Sequence, residues 1–166
     1  MLLAAMLAQA VPMIRAPEKP AACPAAPAPL PPALAAFTDA VPVAAGPSGA
    51  RAADLPVGRG VRATLPPADT VTLPAAVAKP AAAGTRSGVF AFTAPRAGRY
   101  QVALDAGVWV DVVAGGRALP SIAHGHGLAC SPVRKIVSFD LKPGRYLLQV
   151  VGSAAPVVRM VVARTR

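Results

Sequence analysis

Acidic and aromatic residues are what this chain has least of. Of 166 residues only seven are acidic, and Glu18 is the single glutamate. Glycoside hydrolysis on paired carboxylates would therefore have to draw on Asp105, Asp111 and Asp140. Aromatic residues make up 4%, too few for a platform on which unpaired bases stack, so a specific nucleic-acid binder is not expected. Two cysteines exclude zinc-finger spacing. No apolar run reaches the ~20 residues needed to span a bilayer. A Gly-x-Ser-x-Gly elbow and a phosphate-cradling glycine loop are both missing, and no amphipathic helix of useful length follows residue 50. No catalytic residue is assigned on these grounds.

Proline, alanine and positive charge are abundant. Ten of the 20 prolines fall between Pro12 and Pro47. Proline fixes φ and removes an amide donor, so residues 11–57 are expected to form an extended Ala/Pro-rich arm. Leu30, Leu34 and Phe37 can still lie against a folded body. Before the arm, Leu2–Leu7 is a short apolar run followed by Ala8-Gln9-Ala10, the A-x-A form of a signal-peptidase site. Residues 1–10 read as the remnant of an export signal; a start called too far downstream would explain the short run and the missing basic region. A periplasmic or secreted protein is expected.

Residues 58–166 carry the alternation of β-strands. The segment is organised on a phrase used twice, Ala97-Gly98-Arg99-Tyr100 and Pro143-Gly144-Arg145-Tyr146. Each is a turn that opens a new alternating strand. Tyr100, Val102 and Leu104 share one face, as do Tyr146, Leu148 and Val150, and both faces are expected in one core. Strands are predicted over 61–65, 71–77, 89–93, 100–104, 108–113, 118–123, 133–141, 146–151 and 157–163. Those near Pro66-Pro67 and Pro74 belong at an edge. Short strands with closely spaced turn signals predict an all-β fold, an antiparallel β-sandwich of jelly-roll-like form. On the predicted strand 108–113, Trp109 and Asp111 lie on one face and Val108, Val110 and Val112 on the other.

Three groups of residues are candidates for function. From Gly84 onward eleven Lys and Arg face only Asp105, Asp111 and Asp140, a balance that favours anionic partners such as a polysaccharide or a membrane surface. Arg99, Arg117, Arg134, Lys135 and Arg145, at turns and strand ends, are the candidate ligand-binding residues. His124 and His126 are both histidines of the protein. On extended chain the His-x-His spacing puts both imidazoles on one side, as a metal pair requires, although Gly125 and Gly127 favour a loop. A third ligand would come from Asp111, Asp140 or Cys130, and a triad by residue type would join Ser131 to a histidine and Asp111. Cys23 and Cys130 are expected to form a disulfide in an oxidising compartment, pinning the arm to the loop before Val133.

Two resemblances bear on this reading. Phe90-Ala-Phe-Thr-Ala-Pro-Arg-Ala-Gly-Arg-Tyr100 and Leu141-Lys-Pro-Gly-Arg-Tyr-Leu-Leu-Gln-Val150 resemble the bacterial pre-peptidase C-terminal type of β-sandwich. That resemblance implies a secreted, non-catalytic module, often thought to bind carbohydrate or assist secretion. Cys23-Pro-Ala-Ala-Pro, Gly107-Val-Trp-Val-Asp-Val-Val and Ala123-His-Gly-His-Gly-Leu-Ala-Cys130 are similar to a group of small exported bacterial proteins, some of which carry the name homogentisate 1,2-dioxygenase. That name implies a cupin enzyme holding iron through two histidines and a glutamate, with His124 and His126 as the pair. Here no glutamate follows them. The function expected first is an exported, non-catalytic binding or structural module of the cell envelope that contacts anionic glycan or lipid headgroups. The alternative is a metal-dependent oxygenase using His124, His126 and Fe.

Overall fold

A computed structural model describes Cys23 and residues 26–165; the expected export signal at residues 1–10 lies outside them. After a 3-10 turn at Pro32–Phe37, the strands run in chain order as β1 (Ala40–Ala44), β2 (Ala53–Asp54), β3 (Gly60–Thr64), β4 (Arg86–Ala94), β5 (Gly98–Leu104), β6 (Trp109–Ala114), β7 (Arg117–Ala118), β8 (Ala123–His126), β9 (Lys135–Leu141), β10 (Gly144–Ser153) and β11 (Val157–Arg164). They form a six-stranded sheet ordered β1-β3-β11-β5-β9-β8 and a five-stranded sheet ordered β2-β4-β10-β6-β7. The two pack face to face as an all-β sandwich.

Most of the topology is one long antiparallel hairpin rolled up. β3 pairs with β11, β4 with β10, β5 with β9 and β6 with β7. Successive rungs alternate between the sheets, which is the strand order of a jelly roll. The hairpin tip is Gly115-Gly116, with φ of 55° and 73°. Two consecutive left-handed residues make the turn whose twist matches its flanking strands, and only glycine takes both positions without strain.

The repeated phrase marks two of the places where the chain passes between sheets, β4 to β5 and β9 to β10. At each, the tyrosine hydroxyl donates to the carbonyl four residues upstream: Tyr100 Oη to Arg96 O at 2.8 Å and Tyr146 Oη to Lys142 O at 2.9 Å. The bond locks the turn against its outgoing strand, much as a tyrosine corner does. Tyr100, Val102, Leu104, Leu148 and Val150 are buried in one apolar cluster with Tyr146 packed on it, as the alternation predicts. Tyr100→Phe is expected to cost about 1 kcal/mol and Tyr146→Phe less, because its hydroxyl reaches solvent. Urea unfolding checks the order, and equal losses would contradict it.

The structure departs from the sequence reading in four places. The sandwich begins well before residue 58, since the arm supplies β1 and β2 as edge strands, parallel to β3 and β4. The sheets are therefore mixed, not purely antiparallel. Pro42 is tolerated in β1 because an edge strand need not donate on both sides. Leu34 and Phe37, buried among Ala103, Val133, Val161 and Ala163, clamp the arm across the outer face of the six-stranded sheet. Residues 71–77 form no strand. Interrupted by Pro74, they belong to a loop with a single bridge, Ser48 to Thr72, and Ala75 closes over β10. The strand expected over 118–123 splits around Pro120, which has no amide to pair: β7 ends one sheet and β8 joins the other. His124 and His126, expected in a flexible loop, stand on β8 and pair with β9.

Cys23 and Cys130 form the expected disulfide, with Cα atoms 5.3 Å apart. Next to it the Ala28 amide donates to Cys130 O at 2.8 Å.

Candidate functional site

One side of the sandwich stays open because its edge strands are short. β7 covers only Val113 and Ala114 of β6, so β6 from Trp109 to Asp111 borders solvent. Facing it from the other sheet is β8. In the β8–β9 ladder His124 pairs with Val137 and His126 with Lys135. Directly paired residues share a face, and Val137 belongs to the core between the sheets. Both imidazoles therefore project toward the mouth between the sheets, on one side of the strand, as the His-x-His spacing predicts.

The mouth holds a cleft of about 260 Å³ lined by Trp109, Val110, Asp111, Leu119, Ser121, His124, Lys135, Val137 and Phe139. Trp109 is 42% exposed yet fixed, its Nε1 donating to Asp111 Oδ2 at 2.8 Å. The same oxygen accepts from Gln149 Nε2 at 2.8 Å. Gln149 is fully buried and held by both backbone groups of Ala75. The indole is thus positioned by a chain running through Asp111 and Gln149 into the covering loop. Across the cleft, Lys135 Nζ donates to Val108 O at 2.7 Å and lies 5.7 Å from the Trp109 ring centroid, within cation–π range.

Burial of Lys135 lowers its pKa below the ordinary lysine value, and the Asp111 charge opposes this only in part. A folded pKa below the unfolded one means that the unfolded chain binds the proton more tightly. Lys135 therefore weighs against folding at neutral pH, and this penalty is relieved as pH rises through its lowered value toward 10.5. An ammonium held at such cost beside an open cleft is suited to meeting an anion.

The five candidate cations do not form one surface. Lys135 pairs with Leu104 and Arg99 with Asp140, so they stand at opposite ends of the β5–β9 ladder. Arg99 makes an exposed ion pair with Asp140 at 3.7 Å, and Arg145 with Asp54 at 3.4 Å. Arg117 is exposed at the start of β7. Arg134 and Lys135 alone come together, in a hollow beside the cleft that His124 and His126 also line.

The other candidate constellations are taken apart. Among the described residues no group of three His, Cys, Asp or Glu lies close enough to hold a metal ion, and Cys130 is bonded to Cys23. The Ser131 hydroxyl is engaged with Val133 in its own turn. Asp105 accepts from the Arg159 amide, Asp140 pairs with Arg99, and Asp111 holds Trp109 and Gln149. A cavity of about 580 Å³ within residues 67–86, lined mainly by alanine, proline and other small groups, contains none of these residues. Compared with known proteins, the chain matches no family model and no curated protein.

The residue that sequence reasoning passed over is Gln149. Leu147, Gln149 and Val151 alternate with the core face of β10, so an apolar outward face signals a cover, and a glutamine in its midst signals a buried partner. Trp109 and Asp111 share a face in the sequence, but nothing local says that a histidine strand stands opposite.

Proposed function

We propose that the protein is a non-catalytic binding module of the cell envelope that holds a sugar ring of a glycan in the cleft between β6 and β8. The observation that carries this is Trp109. Phe37, Phe90, Phe92, Tyr100 and Phe139 are buried, whereas the single tryptophan presents its ring at a cleft mouth and is held there by hydrogen bonds. A fixed indole offers an apolar platform to the C–H face of a pyranose, and Asp111, Ser121 and His124 offer the few polar groups that orient such a ligand. The cleft volume suits one ring rather than a long chain lying flat. Asp111, the carboxylate of the cleft, already has partners, which favours binding over catalysis. A disulfide across 107 residues favours an oxidising compartment, periplasmic or extracellular. Among the described residues no helix is long and apolar enough to cross a membrane.

The lone tryptophan is also the reporter. Soluble fragments of envelope glycans are expected to change its emission on titration, and Trp109→Ala should weaken binding at least ~10-fold, measured by calorimetry. Unchanged emission across neutral and acidic glycans would remove this reading. Stoichiometric iron in the purified protein, lost in His124→Ala, would put the metal-dependent oxygenase in its place.

A further inference from the structure

Lys135 separates two depressions. On one side is the Trp109 cleft. On the other is a hollow of about 280 Å³ lined by Gly107, His124, Gly125, His126, Arg134 and Lys135. Two permanent cations and two imidazoles line it, without a carboxylate. Among the described residues the ion pairs are Arg99 with Asp140 and Arg145 with Asp54, so neither Arg134 nor Lys135 is neutralised by one. Asp111 attracts Lys135 from the cleft side, but its Oδ2 is already shared by Trp109 and Gln149.

The cations are anchored on the same short stretch of backbone. Lys135 Nζ donates to Val108 O. A Cβ placed on Gly107 would lie 3.6 Å from Arg134 Nε, so the guanidinium rests against that glycine. Lys135 keeps two of its three donors for another acceptor, and a guanidinium presents a fork matched to an oxyanion. The two depressions share His124 and Lys135, so a single ligand can reach from one into the other.

We propose that this hollow binds the oxyanion of an acidic saccharide, a carboxylate, sulfate or phosphate monoester, whose ring lies against Trp109. The proposal rests on the saccharide reading above and narrows it to acidic glycans. It also gives the histidine pair a role without a metal. A neutral imidazole carries one N–H donor, so each histidine can donate to the oxyanion beside Arg134 and Lys135.

The test titrates the full chain with methyl glucosides and galactosides, their uronate and 6-sulfate counterparts, and inorganic sulfate. Trp109 emission reports the ring, and the imidazole NMR signals of His124 and His126 report the oxyanion. Acidic glycosides are expected to bind at least ~10-fold more tightly than neutral ones, with the ratio shrinking as salt screens the charges. Arg134→Gln should bring the ratio toward one and Arg134→Lys should recover part of it. Arg134 is exposed, and melting curves check that both variants fold. Sulfate alone should move the imidazole signals and compete with the acidic glycosides. Equal affinity for neutral and acidic sugars, with unmoved imidazoles, would overturn the oxyanion site and leave the Trp109 reading standing. Imidazole shifts with sulfate but no response of Trp109 to any glycoside would overturn the acidic-saccharide ligand and leave a site for small inorganic anions. No response to any probe would remove both.

Discussion

Gln149→Ala is expected to lower the unfolding free energy by about 3 kcal/mol, which is large for one uncharged side chain. Gln149 sits on β10, between Val89 of β4 and Asp111 of β6. Its Oε1 accepts from Ala75 N at 3.1 Å, and its Nε2 donates to Ala75 O at 3.2 Å and Asp111 Oδ2 at 2.8 Å. Truncation leaves both backbone groups of a buried residue, Ala75, without these partners, and opens a void beneath the loop. Removing one partner of a buried hydrogen bond costs more than the bond contributes net, because the remaining group has lost its water as well. Asp111 then holds Trp109 with one donor fewer, so the indole emission should shift and glycan affinity should fall along with stability. Gln149→Glu separates the two effects. Below the usual carboxylate range the introduced carboxyl is neutral and supplies one O–H donor where the amide supplies two. Beside Asp111 it prefers that neutral form, so its stability should fall steadily as pH rises toward neutrality. Gln149→Ala should lack this slope. A loss below about 1 kcal/mol for the alanine variant would mean that water replaces the amide and the loop is not anchored there.

What was legible in the sequence follows from how local each signal is. The two Gly-Arg-Tyr phrases give two of the sheet-to-sheet corners because turn, tyrosine and alternating strand lie within a dozen residues. The core faces of β5 and β10 follow from period-two alternation alone. The arm strands are hidden for an equally local reason: Ala-Val-Pro-Val-Ala reads as broken by its proline until an edge position is known. β8 is hidden because glycines flank His126, and only pairing with β9 holds it extended. The cleft is not local at all. Trp109 comes from one sheet, His124 and Lys135 from the other, and the rolled hairpin sets which strands face each other. The charge excess was readable, but its distribution was not. Arg99 and Arg145 find aspartates through register and loop closure, leaving Arg134 and Lys135 at the mouth.

The double change Cys23→Ser, Cys130→Ser is expected to have the largest effect on stability, up to about 4.7 kcal/mol from loop-closure entropy, for a bond spanning 107 residues. Its structural effect should be narrower than the length of the arm suggests. Downstream of Leu30 the arm has its own attachment. Leu34 and Phe37 are 1% and 0% exposed, each contributing on the order of 2 kcal/mol by burial, and the chain continues directly into β1. Its prolines also leave less backbone freedom to be lost on docking. Between Cys23 and Leu30 the attachment among the described residues is the disulfide and one hydrogen bond, from the Ala28 amide to Cys130 O. Hydrogen exchange should therefore show the Ala28 amide losing protection while the Leu34 amide, bonded to Pro31 O at 2.8 Å, keeps most of its own. Cys130 carries a second contribution. Its φ of 60° is left-handed, a conformation that costs a non-glycine residue about 1 kcal/mol. Cys23→Ser combined with Cys130→Gly should recover roughly that amount relative to the double serine variant. Far-UV circular dichroism should remain that of a β-sandwich throughout. If the double serine variant releases residues 32–37 as well, exposing Phe37 to protease under native conditions, the disulfide and not the apolar clamp is what holds the arm across the sheet.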